Sequence, residues 1–85
     1  MYKILYSREA AKTMLKIPRN TARRIREKLE ALAANPFTKN NNVTELAGQD
    51  AYRLRIGDWR AIYSIRRNAL EILVVKVAPR GGAYK

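Results

Sequence analysis

At 85 residues the chain has room for one domain, taken here as 1–85, with a modest core, because a chain this short buries only about 60–65% of the surface its unfolded form exposes. It has no cysteine and no histidine, which excludes a disulfide framework, a thiolate nucleophile, a histidine acid–base pair and a cysteine- or histidine-ligated metal, and no run is long and apolar enough to cross a membrane. Eighteen Lys and Arg against seven Asp and Glu give a formal net charge of +11, beyond the ~2–8 that keeps a small domain soluble, so the partners to expect are polyanions: nucleic acid first, an acidic protein second.

Tyr2, Ile4 and Tyr6 alternate with Lys3 and Leu5, which predicts a strand over 2–6. Charged residues follow at once, with no apolar stretch leading to a small-residue cleavage site, so export is not expected and a cytoplasmic location is. Ser7 offers an N-cap for a helix through Lys16 with Ala10, Ala11, Met14 and Leu15 as its apolar stripe. Pro18 ends that helix and is expected in the first turn of the next, where a missing N–H costs nothing. The second helix places Ala22, Ile25, Leu29, Leu32 and Ala33 at three-and-four spacing beneath a charged face. On that face Arg23/Glu27 and Arg26/Glu30 lie four apart, each pair worth roughly 0.2–0.5 kcal/mol. A coiled-coil reading of this helix falls short of the three or four heptads such an assembly shows.

Asn35-Pro36 stops the helix and opens a polar loop through Asn42, after which Val43 and Leu46 are expected to pin the loop to the domain before Gly48 turns the chain. From Ala51 the period changes to two, predicting strands through Tyr52–Ile56, Trp59–Ile65 and Leu70–Val77, with Gly57-Asp58 as a two-residue turn beginning in glycine and Arg67-Asn68 as a second turn. The aspartates, Asp50 and Asp58, both fall in expected turns, so a carboxylate site for two metals is not expected. The class is α+β: an N-terminal strand, a two-helix hairpin and a three-stranded antiparallel meander completing a four-stranded sheet.

Strand alternation sends Tyr52, Leu54 and Ile56 to one face and Arg53 and Arg55 to the other. A two-residue turn at Gly57-Asp58 then sets Arg55 opposite Arg60, so three arginines share a face. A half-exposed strand carries polar residues there in any case, but like charges opposite one another cost about 0.2–1 kcal/mol, and guanidinium suits bidentate phosphate recognition in a way that a merely solvated face does not need. Arg80 follows the last strand, with Gly81-Gly82 as a hinge ahead of Tyr84. On the residues alone, Arg80 and Tyr84 read as a terminus.

The order of elements, together with Val43-Thr44-Glu45-Leu46-Ala47-Gly48, Tyr52-Arg53-Leu54-Arg55-Ile56-Gly57-Asp58-Trp59-Arg60-Ala61-Ile62-Tyr63 and Pro79-Arg80-Gly81-Gly82-Ala83-Tyr84, resembles the RelE/ParE superfamily of type II toxin–antitoxin toxins over essentially the whole chain. The resemblance implies two N-terminal helices on a mainly antiparallel sheet, and an antitoxin whose segment wraps the toxin. An acidic, partly helical segment would suit a surface of this charge. RelE-like members cut messenger RNA in the ribosomal decoding site; ParE-like members poison DNA gyrase without that catalytic set. In the RNA-cutting members the matching positions are Arg53 and Arg55, Arg60, Arg80 and Tyr84, all filled here by arginine or tyrosine.

The resemblance thus implies a metal-free, cofactor-free endoribonuclease (an mRNA interferase), with a gyrase inhibitor as the alternative and an inactive nucleic-acid-binding module as a third reading. The best-known member has lysines where Arg53 and Arg55 stand. Arginine, with a pKa above ~12, does not serve as a general base, so that duty falls to Tyr84, whose ordinary pKa of ~10 surrounding positive charge would lower; otherwise Tyr84 stacks on a base.

Overall fold

The computed structural model describes residues 1–46 and 51–80. In chain order the elements are β1 (Lys3–Tyr6), α1 (Arg8–Lys16), α2 (Arg19–Ala34), β2 (Val43–Glu45), β3 (Ala51–Ile56), β4 (Trp59–Arg66) and β5 (Glu71–Pro79). The strands form one sheet in the order β1-β5-β4-β3-β2, with β1 and β5 parallel and every other pair antiparallel.

Local chemistry accounts for the helix boundaries. Ser7 has extended backbone geometry, and its Oγ accepts the Ala10 N–H at 3.1 Å, satisfying one of the donors a helix start leaves orphaned. Helix α1 ends at Lys16 because Ile17 precedes a proline and is held extended, with φ −81° and ψ 163°. Pro18 itself caps α2 from outside and makes no side-chain bond, one residue earlier than the first-turn position expected of it.

Helix α2 buries Ala22, Ile25, Leu29, Leu32 and Ala33, the stripe its spacing predicts. In α1 the expected stripe is only half right. Ala10 is buried and Met14 and Ile17 pack against the core, while Ala11 is exposed and Leu15 is 86% exposed. Nine residues give too few turns to choose between neighbouring faces, and the true line is 10, 14, 17. The pairs Arg23/Glu27 and Arg26/Glu30 do not close; among the described residues the ion pair is Arg66–Glu71, at 4.0 Å.

The sheet has five strands, one more than the four expected. Val43 and Thr44 pair with Leu54 and Arg53, turning the anticipated loop anchor into the edge strand β2; three residues are too few for alternation to show in the sequence. The β3–β4 turn is as expected: Ile56 faces Trp59, and Gly57 has φ +58° while Asp58 does not take positive φ, the pattern of a type II′ turn. The second turn is longer than Arg67-Asn68. Arg66 pairs with Glu71, leaving residues 67–70 as the loop, with Leu70 at φ +54° and its N–H bonded to the Arg67 carbonyl. Gly48 and Asp50 lie outside the described residues.

Both helices lie over the sheet face formed by Leu54, Ile56, Ala61, Tyr63, Ile72, Val74 and Val77. A bulge between β4 and β5 sets Ile62 against Lys76 but Tyr63 against Val74, so Val75 is passed over and both Val74 and Val77 point inward. The Val75 carbonyl freed by this bulge accepts the Ser7 hydroxyl at 2.6 Å, tying the start of α1 to the sheet.

Candidate functional site

The register brings the strand arginines together. Arg55 is the direct partner of Arg60, and Arg53, two residues before Arg55, projects from the same face. These three line a small cleft of about 140 Å³ with Asn41, Asn42 and Thr44. Each guanidinium is set differently. Arg55 is exposed; its Nη2 donates to Asn42 Oδ1 at 3.0 Å and its backbone N–H to the Asn42 carbonyl at 2.8 Å. Arg60 is buried, and its Nη1 donates to the carbonyls of Gly57 (3.0 Å) and Trp59 (2.9 Å), which leaves the rest of its five-donor fork uncommitted among the described residues.

Arg80 reaches the same end of the sheet from β5. Pro79 pairs with Trp59, and the Arg80 N–H donates to the Asp58 carbonyl at 2.7 Å, so the residue is fastened to the β3–β4 turn with its side chain exposed. With Arg55 and Arg60 it lines a larger cleft of about 510 Å³. Arg55, Arg60 and Asn42 belong to both clefts; Arg53 borders the small one and Arg80 the large one. The site is therefore a continuous basic channel around the sheet end, with Arg55 and Arg60 at its middle. Gly81, Gly82 and Tyr84 lie outside the described residues.

Three lining residues escape a reading of the strands alone. Asn42 fixes the Arg55 guanidinium, and Arg24 and Lys28 reach the larger cleft from α2. The available signal was the like-charge pair four residues apart on one helix face.

The tyrosines of the described residues that titrate abnormally do so in the wrong direction and place for a base in this channel. Burial pushes the Tyr63 hydroxyl up to about 12, with Tyr52 beside it adding to the rise. Burial also raises Tyr6, opposed by Arg26 and reinforced by Glu30. Both rings belong to or pack against the core. The described arginines can bind a phosphate and stabilise charge that develops on it, but they do not take its proton.

A helix hairpin on a five-stranded sheet, with Arg53, Arg55 and Arg60 gathered on one sheet face and Arg80 at the same end, defines a small, strongly basic α+β domain. Residues 4–84 match the family described as ParE toxin of type II toxin-antitoxin system, parDE. The chain is 33% identical over 76 residues to the archaeal protein named Putative toxin RelE1 from Methanocaldococcus jannaschii, covering 87% of this chain and 84% of that one. Among solved structures, the archaeal RelE–RelB complex from Pyrococcus horikoshii OT3 superposes with a TM-score of 0.76 at 30% identity, covering 94% of this chain and 96% of that one. The intact E. coli RelBE toxin–antitoxin complex superposes with a TM-score of 0.78 at 22% identity, covering 93% and 96%. The chain belongs to the RelE/ParE superfamily of type II toxin–antitoxin toxins.

Proposed function

We propose that this toxin is a ribosome-dependent endoribonuclease that stops translation by cutting messenger RNA without a metal. The observation that carries the reading is the Arg55–Arg60 cross-strand pair with Arg80 fastened beside it. Such a concentration of like charge works against folding and is offset by a bound phosphodiester. In the step proposed, the ribose 2′-oxygen attacks the adjacent phosphorus and the bond from phosphorus to the 5′-oxygen breaks, leaving a 2′,3′-cyclic phosphate and a 5′-hydroxyl. Arg55 and Arg60 hold the charge of the pentacoordinate phosphorus and Arg53 the approaching strand. Arg80 steadies the leaving oxygen, which takes its proton from water. Tyr84 orients the 2′-hydroxyl or accepts its proton.

An exposed channel positions its substrate weakly, so the ribosome supplies the alignment and the toxin alone is slow. The partner that silences it is an antitoxin carrying an acidic, partly helical segment, a reading supported by the RelE–RelB and RelBE complexes that share its fold. The description of the matching family as a ParE toxin favours a second reading, a gyrase-binding toxin without nuclease activity.

Mapping the ends of ribosome-bound messages separates the two. The nuclease reading expects 5′-hydroxyl ends with wild type and a loss of about 10²–10³-fold with Arg80→Ala, whose exposed side chain leaves folding intact. Arg60→Lys should fall by a similar factor and, because it gives up the bonds to the Gly57 and Trp59 carbonyls, should also melt lower, by about 1–3 kcal/mol. Intact messages with accumulating gyrase–DNA breaks, unaffected by Arg80→Ala, would establish the second reading instead.

A further inference from the structure

Two guanidinium groups converge on Gly57. Arg60 Nη1 bonds its carbonyl at 3.0 Å, and from the helix side Arg24 comes so close that a Cβ built on Gly57 would touch Arg24 Nη1 at 3.4 Å. Glycine here supplies the positive φ that the turn requires, and the helix arginine lies in van der Waals reach of it. Lys28 stands one helical turn further along on the same face, and both border the 510 Å³ cleft with Arg55, Arg60 and Arg80. The carboxylate in that lining is Asp58, and neither Arg24 nor Lys28 forms an ion pair among the described residues. Like charges four apart on a helix disfavour it, and turning them toward three further arginines adds to the cost. A ligand anion removes that repulsion.

We propose that Arg24 and Lys28 form a second phosphate subsite that holds the RNA strand beside the scissile linkage and carries it off the sheet end along α2. This rests on the RNA-cutting reading and deepens it. The subsite follows from the continuity of the channel, since Arg55, Arg60 and Asn42 belong to both clefts and a strand whose reacting phosphate lies between Arg55 and Arg60 has one basic exit along β2 and β3 and another beneath α2. The two helix residues bind backbone only, so they act alike on all sequences and on ground and transition states.

The test is equilibrium binding of a short single-stranded RNA with 2′-O-methyl riboses, which binds without being cut, to the full chain over a range of salt. Arg24→Gln/Lys28→Gln should weaken binding at least tenfold at low salt and lower the slope of log K against log salt by about 0.7 for each phosphate no longer neutralised. Arg19→Gln/Arg23→Gln removes the same charge from another part of α2, where the two line a separate cleft with Met14, Leu15 and Ile17, and should change the slope far less. On ribosomes the Arg24/Lys28 variant should raise KM and leave kcat close to wild type. Equal losses from the two double variants would overturn the subsite and leave only diffuse charge. Binding to polyglutamate, but not RNA, that depends on Arg24 and Lys28 would assign the ridge to an acidic protein and overturn it too. If ribosome-bound messages stay intact with wild type, the RNA-cutting reading itself fails and the subsite falls with it.

Discussion

Arg60 is 8% exposed, and one arm of its guanidinium is given to carbonyls of the turn that precedes it. That commitment fixes the direction of the remaining donors, and fixed donors lose little freedom when an anion arrives. Tyr63 shows the opposite case, a polar group with nothing to do. It is fully buried, its ring stacks on Tyr52 at 5.4 Å and 21°, and its hydroxyl has no hydrogen-bond partner among the described residues. Tyr63→Phe keeps the ring and removes an unsatisfied group, so denaturant melts should find stability unchanged or raised by about 1 kcal/mol. The same residue governs alkaline behaviour. An unfolded tyrosine ionises near 10.0 while Tyr63 in the fold holds its proton to about 12, so the folded state binds more protons across that window. Its contribution is intact below pH 10 and is lost as pH rises toward 12, by at most ~3 kcal/mol. Melts at pH 9 and pH 11 should show a smaller loss for Tyr63→Phe than for wild type.

Among the elements, α1 depends on a single side chain at its start. Ser7 caps the helix by accepting from Ala10 and spends its proton on the Val75 carbonyl that the β-bulge sets free. Ser7→Ala removes both bonds and should cost about 1–2 kcal/mol in a denaturant melt, with Ser7→Thr recovering part of it; an unchanged midpoint would mean that the cap contributes nothing. What the sequence made legible follows the range of the interactions. The α2 stripe and the Gly57-Asp58 turn are set by near neighbours, and the turn in turn fixes the register that places Arg55 against Arg60. Strand β2 was hidden because its three residues become a strand only by pairing with β3. Leu15 misled because a nine-residue helix offers two adjacent apolar lines, and packing chooses between them. Arg24 and Lys28 could be seen as an unpaired basic ridge, but their presence over the turn depends on how α2 lies across the sheet, which no local pattern encodes.

Across the whole molecule a net charge of +11 acts on every fold-level equilibrium. Self-repulsion opposes compaction and is screened within about 10 Å at 0.1 M salt, so the thermal midpoint should rise as sodium chloride is raised from about 10 mM to about 200 mM. A polyanion such as heparin should raise it further by binding the folded state alone, and a midpoint that falls with salt would show that the charges are already compensated. Against that background the five cations around the large cleft are a local excess, and anion binding should be most salt-sensitive there.

The parallel pairing of β1 with β5 also sets an order in time. Ser7 and Val75, hydrogen-bonded in the finished fold, are 68 positions apart, and synthesis at about 5–20 residues per second separates their appearance by several seconds. Through that interval β1 has no partner, and β4, once made, has one open edge. A chain interrupted before Glu71 contains the β2-β3-β4 pairings but lacks the strand that joins β1 to them, so a partly made copy lacks the complete sheet. The five-stranded sheet is therefore complete only when its last strand lies between its first and its fourth.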